Sequence, residues 1–175
     1  MGYRARQFLG AWSARPSAAE LEQGRDILNP EQMELFRRMQ ARDQAHSLAV
    51  MAQIRQSPGD VSAADLHDLL VAALLHDVGK SRYSLNVWER VIIVLSEAMF
   101  PSLVERYGAA SPHGWRKAFV IAKMHPGGGA AMAEEAGATP LAVELIREHQ
   151  NHTVGESNTN PNQLLRRLQA ADNTH

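Results

Sequence analysis

Cysteine is absent from this 175-residue chain, and its absence removes several kinds of chemistry at once. Disulfide bonds, thiolate metal ligands and a cysteine nucleophile are all excluded. A metal site in this protein would therefore have to use imidazoles and carboxylates, which suit iron, manganese or zinc.

An excess of charge of either sign is also missing. The chain has 18 basic and 19 acidic residues, a formal net charge of −1, so it lacks the basic surface that duplex DNA binding requires. Its apolar fraction of 45% and charged fraction of 21% are typical of soluble globular proteins. A chain of this length fits one domain and buries roughly two thirds of its unfolded surface, so no metal is needed merely to hold a core together.

Long hydrophobic runs are missing as well. The most apolar segment, residues 91–100, is about half the ~20 residues that span a bilayer, and it contains Glu97. Residues 1–6 lack the apolar stretch of a secretory signal, and Arg6 stands where a myristoylation motif has Ser or Thr. We therefore expect a cytoplasmic protein without a transmembrane segment.

Helix-capping signals recur along the chain. Ser, Thr or Asn directly before proline marks four predicted helix starts, at Pro30, Pro112, Pro140 and Pro161, and Ser17 with Glu20 reads as a capping box. The pattern lacks hairpin signals, so it predicts an all-α fold, a single-domain helical bundle. The predicted helices lie near residues 17–27, 30–56 with a break near 40, 62–78, 86–107, 112–124, 128–136, 140–151 and 161–172.

Six metal-binding side chains occupy positions where a helix would turn its apolar face inward. His46 shares a stripe with Met39 and Val50, and His149 follows Leu141 and Leu145 at four-residue steps. The same periodicity places the adjacent His76 and Asp77 after Leu69–Leu75, and Asp172 after Leu165 and Leu168, whereas His125 ends an apolar segment before a Pro-Gly run. The six residues are His46, His76, Asp77, His125, His149 and Asp172.

Each of these residues also has an ordinary interpretation. A single histidine in a helix is more often a residue with ordinary hydrogen-bond partners, or one that is half exposed. Asp172 alone could be an acid in the last turn of a helix, exposed to solvent. His76 and Asp77 could be a structural hydrogen-bonded pair. The charge of buried carboxylates and the polar nitrogens of buried imidazoles must nevertheless be compensated, and a divalent cation does this directly. The joint pattern therefore predicts a metal site. His67, His113 and His175 lack this placement and are expected in solvent, whereas His152 is a competing ligand for the position of His149.

The sequence resembles the HD-domain superfamily of metal-dependent phosphohydrolases. His46, the doublet His76-Asp77 and Asp172 match the spaced histidine, the His-Asp pair and the distant aspartate that name the family. The residues that follow the doublet, Val78-Gly79-Lys80, fit as well. The resemblance covers about residues 40–173. It implies an HD domain over 41–175 with a helical insertion at about 85–120, preceded by an N-terminal helical extension, 1–40, packed on the core.

Two further motifs resemble the two-metal branch of this superfamily. His125-Pro126-Gly127-Gly128-Gly129 and Ile146-Arg147-Glu148-His149 are similar to additional ligand motifs of HD-GYP phosphodiesterases and HD-type diadenosine tetraphosphate hydrolases. The Gly-Tyr-Pro signature is missing, and Gln150 follows His149 where a second histidine would stand. The segment 88–107 allows four interpretations, which are packing on the core, a lid, a dimerisation surface or an interfacial membrane contact.

The resemblance implies a phosphohydrolase that cleaves a nucleotide or another small phosphate ester through a metal-bound water. It implies two divalent ions per chain, Fe or Mn, with Zn, Ni or Mg as further candidates. One ion would be held by His46, His76, Asp77 and Asp172, and the other by His125, His149 and a bridging Asp77. Asp77 would orient the nucleophile.

The substrate phosphate is expected to meet Lys80, one turn after Asp77, with help from Arg82 and His152. The ordinary alternative for Lys80 is that it only interacts favourably with the dipole at a helix C-terminus. The ordinary alternative for Arg82 is that it lies in solvent. Two other functions remain open, a non-catalytic regulatory module that binds metal or nucleotide, and a di-iron oxygenase. Oligomerisation is also possible.

Overall fold

The computed structural model describes residues 15–82, 117–151 and 160–174, with side chains in the second range described from residue 124. These ranges contain seven α-helices, one 3-10 helix and no strand, which confirms the predicted all-α class. No helix within them is long and apolar enough to cross a membrane. The helices are α1 (Ala18–Arg25), α2 (Pro30–Arg38), α3 (Ala41–Gln56), α4 (Ala63–Leu75), the 3-10 helix (Val78–Arg82), α5 (Lys117–Glu135), α6 (Pro140–Glu148) and α7 (Asn160–Asp172).

Side-chain caps begin most of these helices where the sequence predicts them. The Ser17 hydroxyl accepts a hydrogen bond from the Glu20 amide, and the Glu20 carboxylate accepts one from the Ser17 amide. Asn29 and Gln32 form the same reciprocal pair at the start of α2. Each cap satisfies amides that the first turn of a helix leaves without partners. The predicted helix at 86–107 and the start predicted near 112 lie outside the described residues.

The break predicted near residue 40 is confirmed. Met39 and Gln40 adopt extended backbone conformations, with ψ of 153° and 149°, between α2 and α3. Met39 therefore lies outside the helix that carries His46 and Val50, and the predicted stripe is wrong for Met39. Because Met39 and Gln40 are extended, the helices on either side of them do not share one helical register.

Helix α4 is the centre of the bundle. All residues from Leu69 to Leu75 are buried, and the helix packs against α2, α3, α6 and α7. A helix that is apolar on every side satisfies its backbone internally and belongs inside a core. Because α4 ends at the core, the residues that follow it, His76 and Asp77, are also buried.

Helix α5 contradicts one prediction. The sequence predicts two helices separated at the run from His125 to Gly127, but a single helix continues from Lys117 to Glu135 with Pro126 inside it. Proline and glycine are unfavourable in a helix by about 3 and 1 kcal/mol. Packing offsets this local cost, since α5 contacts the 3-10 helix and α6, and its residues Gly129, Ala130 and Ala133 are buried.

Two glycines let the 3-10 helix and α5 meet backbone to backbone. A Cβ on Gly79 would overlap the carbonyl oxygen of His125 and lie 2.8 Å from the amide nitrogen of Gly129. A Cβ on Gly129 would lie 3.1 Å from the amide nitrogen of Gly79. This close approach holds the turn of α5 that carries His125 beside the segment that carries Asp77.

The described part of the predicted extension, residues 15–40, packs on the remaining helices. Helix α1 contacts α2 and α3, and α2 contacts α4, α5 and the 3-10 helix. Phe36 of α2 is completely buried. The division into an extension and an HD domain stays a prediction, and most of the predicted insertion at 85–120 lies outside the described residues.

We expect Gly79→Ala to lower the melting temperature by at least about 5 °C, because the methyl group meets backbone atoms that cannot move independently. The matched control is Gly127→Ala in the exposed turn of α5, where a Cβ would meet nothing within 4 Å. This control should be neutral or stabilising by up to about 1 kcal/mol. Thermal unfolding monitored by circular dichroism distinguishes the two, and equal melting temperatures would contradict the backbone contact.

Candidate metal centre

Five helices deliver six side chains to one place. His46 comes from α3, His76 and Asp77 follow α4, His125 lies on α5, and His149 and Asp172 stand at the ends of α6 and α7. The potential ligand atoms form two groups, each with all atoms within 4.8 Å of one another. We call them the outer triad (His46, His76 and Asp172) and the inner triad (Asp77, His125 and His149).

The two triads adjoin each other through His76 and Asp77. The His76 Nε2 atom lies 3.7 Å from Oδ2 of Asp77 and 3.5 Å from Oδ1 of Asp172. On the inner side, Oδ1 of Asp77 lies 3.5 Å from Nε2 of His125. The histidine rings are also neighbours, with centroids 5.1 Å apart for His76 and His149. Asp77 therefore turns one oxygen towards each half of the cluster.

Backbone carbonyls orient two of the imidazoles. Nδ1 of His76 lies 2.9 Å from the carbonyl oxygen of Ala73, and Nδ1 of His149 lies 2.8 Å from that of Ile146. A carbonyl can only accept, so Nδ1 carries a proton, and in the neutral form of the ring Nε2 presents its lone pair to the cluster. Such hydrogen bonds commonly orient metal-binding histidines. The sequence reasoning missed these carbonyls, although both lie three residues before their histidine.

Burial separates the two triads. Asp77, His125 and His149 are all buried, whereas the side chains of His46 and Asp172 are 26% and 28% exposed. In the outer triad, Nε2 of His46 lies 2.8 Å from Oδ1 of Asp172. The cluster therefore opens to solvent on the side of the outer triad.

The environment shifts the pKa values of two of the buried imidazoles, His76 and His149, in opposite directions. Burial and the nearby rings of His76 and His125 lower the pKa of His149 to about 3, so this ring is neutral near pH 7. Burial also acts to lower the pKa of His76, but the carboxylates of Asp77 and Asp172 outweigh it and raise that pKa. His149 is therefore ready to donate a lone pair, whereas at Nε2 of His76 a proton competes with a metal more strongly than at an ordinary imidazole.

Both carboxylates are held in the ionised form. Burial alone would raise the pKa of Asp77, but Lys80 foremost, with His76 and His125, holds it well below its usual range. Burial likewise opposes ionisation of Asp172, and its neighbours His46 and His76 hold its pKa far below the ordinary value. Two anionic carboxylates thus face the same group of imidazoles.

These side chains fit a divalent metal. A buried polar atom normally has a hydrogen-bond partner, yet among the described residues none is found for Nε2 of His76, which is aimed into the cluster. Imidazole nitrogens and carboxylate oxygens are ligands that iron, manganese and zinc accept. The structure thus brings all six predicted residues together, and their role as ligands stays a prediction.

The other predicted residues have different outcomes. The Lys80 ammonium contacts the Asp77 carboxylate, an ion pair that the sequence reasoning missed although the i, i+3 spacing could have indicated it. Arg82 is exposed at the end of the 3-10 helix, beside the turn of α5 at Gly128. His67 is exposed as predicted. His113, His152 and His175 lie outside the described residues.

We expect Mn²⁺ binding to weaken as the pH is lowered from about 8 to about 6, by up to about tenfold per pH unit for each imidazole that must lose a proton. The raised pKa of His76 places its proton in competition with the metal in this window. His149 should not contribute, because its pKa is about 3. Calorimetric titrations in two buffers of different ionisation enthalpy measure the protons released, and pH-independent affinity without proton release would contradict the assignment.

A comparison with protein families relates this geometry to known proteins. The family model described as HD domain matches residues 44–175, about three quarters of the chain. No curated protein and no solved structure was found to match. The matched range contains all six residues of the two triads. HD domains bind divalent metals and are typical of metal-dependent hydrolases. The chain therefore belongs to the HD-domain family.

Proposed function

We propose that this protein is a metal-dependent phosphohydrolase that cleaves a nucleotide or another small phosphate ester. One observation carries the proposal, namely the two adjoining triads that share a boundary at His76 and Asp77. Displacement at phosphorus requires stabilisation of two oxygens, the attacking one and the leaving one. Two neighbouring cation positions would each stabilise one of them.

The six residues would hold two ions, Fe or Mn being the best candidates. His46, His76 and Asp172 would serve one position and His125 and His149 the other, with Asp77 shared between them. When bound, such ions supply Lewis acidity towards the phosphoryl group and make water more acidic. This assignment uses every imidazole and carboxylate of the cluster.

Asp77 is the residue on which both positions depend. It is buried and ionised, and its two oxygens face opposite halves of the cluster. A carboxylate held in this way can orient a nucleophilic water by accepting its hydrogen bond. We therefore assign Asp77 both a metal-binding and a catalytic role.

The phosphate would enter from the side of the outer triad, where His46 and Asp172 are partly exposed. Lys80 is half-buried beside the cluster, and its flexible stem allows the ammonium to reach an anion near Asp77. We assign it substrate binding and charge stabilisation. Arg82 and His152 are proposed as further phosphate contacts.

We expect Asp77→Asn to reduce phosphate release by at least about a hundredfold, because substitution of groups that merely orient metal ligands already costs about 10- to 100-fold. The protein should be purified without a polyhistidine tag, loaded with Mn²⁺ or Fe²⁺, and assayed on nucleotides, dinucleoside polyphosphates and cyclic dinucleotides. Asp60→Asn makes the same chemical change at an exposed position and is the matched control.

Circular dichroism distinguishes a loss of chemistry from a loss of folding in these variants. Wild-type protein that binds metal and releases no phosphate from any of these substrates would contradict the proposal. That result would favour a regulatory module that binds metal or nucleotide. Oxygen consumption with a non-phosphorylated substrate would instead favour a di-iron oxygenase.

With saturating metal, we expect Lys80→Met to raise KM for the substrate by about 10- to 100-fold, since a hydrogen bond to a charged group contributes about 1.5–3 kcal/mol. The value of kcat should change less, because the groups of both triads remain. Steady-state kinetics over a range of substrate concentrations measures the two effects separately. An unchanged KM would remove Lys80 from the phosphate site.

A further inference from the structure

Lys80 makes a close ion pair with the central carboxylate of the cluster. Its Nζ atom lies 2.7 Å from Oδ1 and 2.8 Å from Oδ2 of Asp77, so the ammonium contacts both oxygens. The Asp77 side chain is only 6% exposed, whereas that of Lys80 is 24% exposed. The cation therefore lies at the border between the buried cluster and solvent.

This ion pair compensates the buried negative charge of Asp77 in the metal-free protein. Removing a carboxylate from water costs several kcal/mol unless a cation and hydrogen bonds compensate. Asp77 has His76 and His125 near its oxygens, at 3.7 and 3.5 Å, but these distances exceed those of a good hydrogen bond. Lys80, at 2.7 Å, is closer to Asp77 than either imidazole.

The oxygens that Lys80 contacts are also the oxygens that a metal would need. Oδ1 of Asp77 belongs to the inner triad with His125 and His149, and Oδ2 faces His76 of the outer triad. An ammonium and a divalent ion at one carboxylate repel each other. Occupation of the cluster by metal is therefore opposed by the ion pair already present.

We propose that Lys80 is an internal counter-cation that neutralises Asp77 in the metal-free protein and competes with the metal for that carboxylate. The inference rests on the metal occupancy assumed in the proposed function, but not on any hydrolytic activity. Metal binding displaces the ammonium towards the solvent-facing side, where a phosphate would enter. By linkage, an anion that binds the displaced ammonium strengthens metal binding by the same factor by which the metal strengthens binding of the anion.

The proposal predicts opposite effects of Lys80→Met on two measurements. Mn²⁺ should bind about tenfold or more tightly than to wild type, because no ion pair has to be broken and no ammonium repels the metal. The metal-free variant should have a lower melting temperature, because Asp77 loses its neutralising partner. Isothermal titration calorimetry and thermal unfolding with and without Mn²⁺ measure both effects.

Three further variants separate charge from packing. Lys80→Arg keeps the cation and should bind Mn²⁺ within about threefold of wild type, an energy difference of less than about 1 kcal/mol. Lys80→Gln removes the charge but keeps a donor, so it should bind more tightly, and it replaces Lys80→Met if that variant does not fold without metal. Arg147→Met removes one exposed positive charge two residues from His149 and should leave the affinity unchanged.

Equal or weaker Mn²⁺ affinity in the neutral Lys80 variants would overturn the proposal, as would tighter binding in Arg147→Met of the same size. Failure of the wild type to bind Mn²⁺ would overturn both this inference and the metal centre itself. A wild type that binds metal but releases no phosphate would contradict the proposed function alone. The two ideas therefore fail in different experiments.

Discussion

The burial of the Asp77 carboxylate at the end of α4 is the constraint on which the cluster depends. From Leu69 onwards, helix α4 is apolar on every side and delivers its C-terminus into the core, so the acid that follows it is almost completely shielded from solvent. A buried carboxylate is tolerated only among cations and hydrogen-bond donors. Imidazoles from three other helices and the Lys80 ammonium lie around Asp77 and His76, as this requirement demands.

Packing of the backbone gives this electrostatic arrangement its precision. Gly79 and Gly129 allow the 3-10 helix and α5 to approach at backbone distance, and the backbone carbonyl of His125 is part of that contact. On the other side of the cluster, the carbonyls of Ala73 and Ile146 set the direction of two imidazoles. Each ring is thus oriented by the helix end that carries it, as a preorganised metal site requires.

The difference in burial between the two triads has a functional meaning under the proposed activity. The inner triad is shielded from water. Charges interact more strongly in such a buried environment than they do in water. The outer triad is partly open at His46 and Asp172 and so lies where a phosphate can arrive. Lys80 lies at the border between solvent and the buried cluster. A single cation in that position can respond to the occupancy of the metal site and to the charge of the ligand.

The chain's capping signals and helical periodicity by themselves determined the all-α class, most helix starts and the inward direction of His76, Asp77 and His149, because capping and amphipathic spacing are local properties. They also identified His76 and Asp77 as an unusual ending for an apolar helix. Periodicity did not reveal the grouping into two triads, since residues from His46 to Asp172 meet only through packing of five helices.

Local propensity was wrong at Pro126 and Gly127, where α5 continues, because contacts with the 3-10 helix outweigh the cost of helix-breaking residues. Spacing put Lys80 one turn from Asp77, but only the fold decided that its ammonium faces the carboxylate. That direction depends on how deeply Asp77 is buried, and burial is a property of the packed tertiary structure.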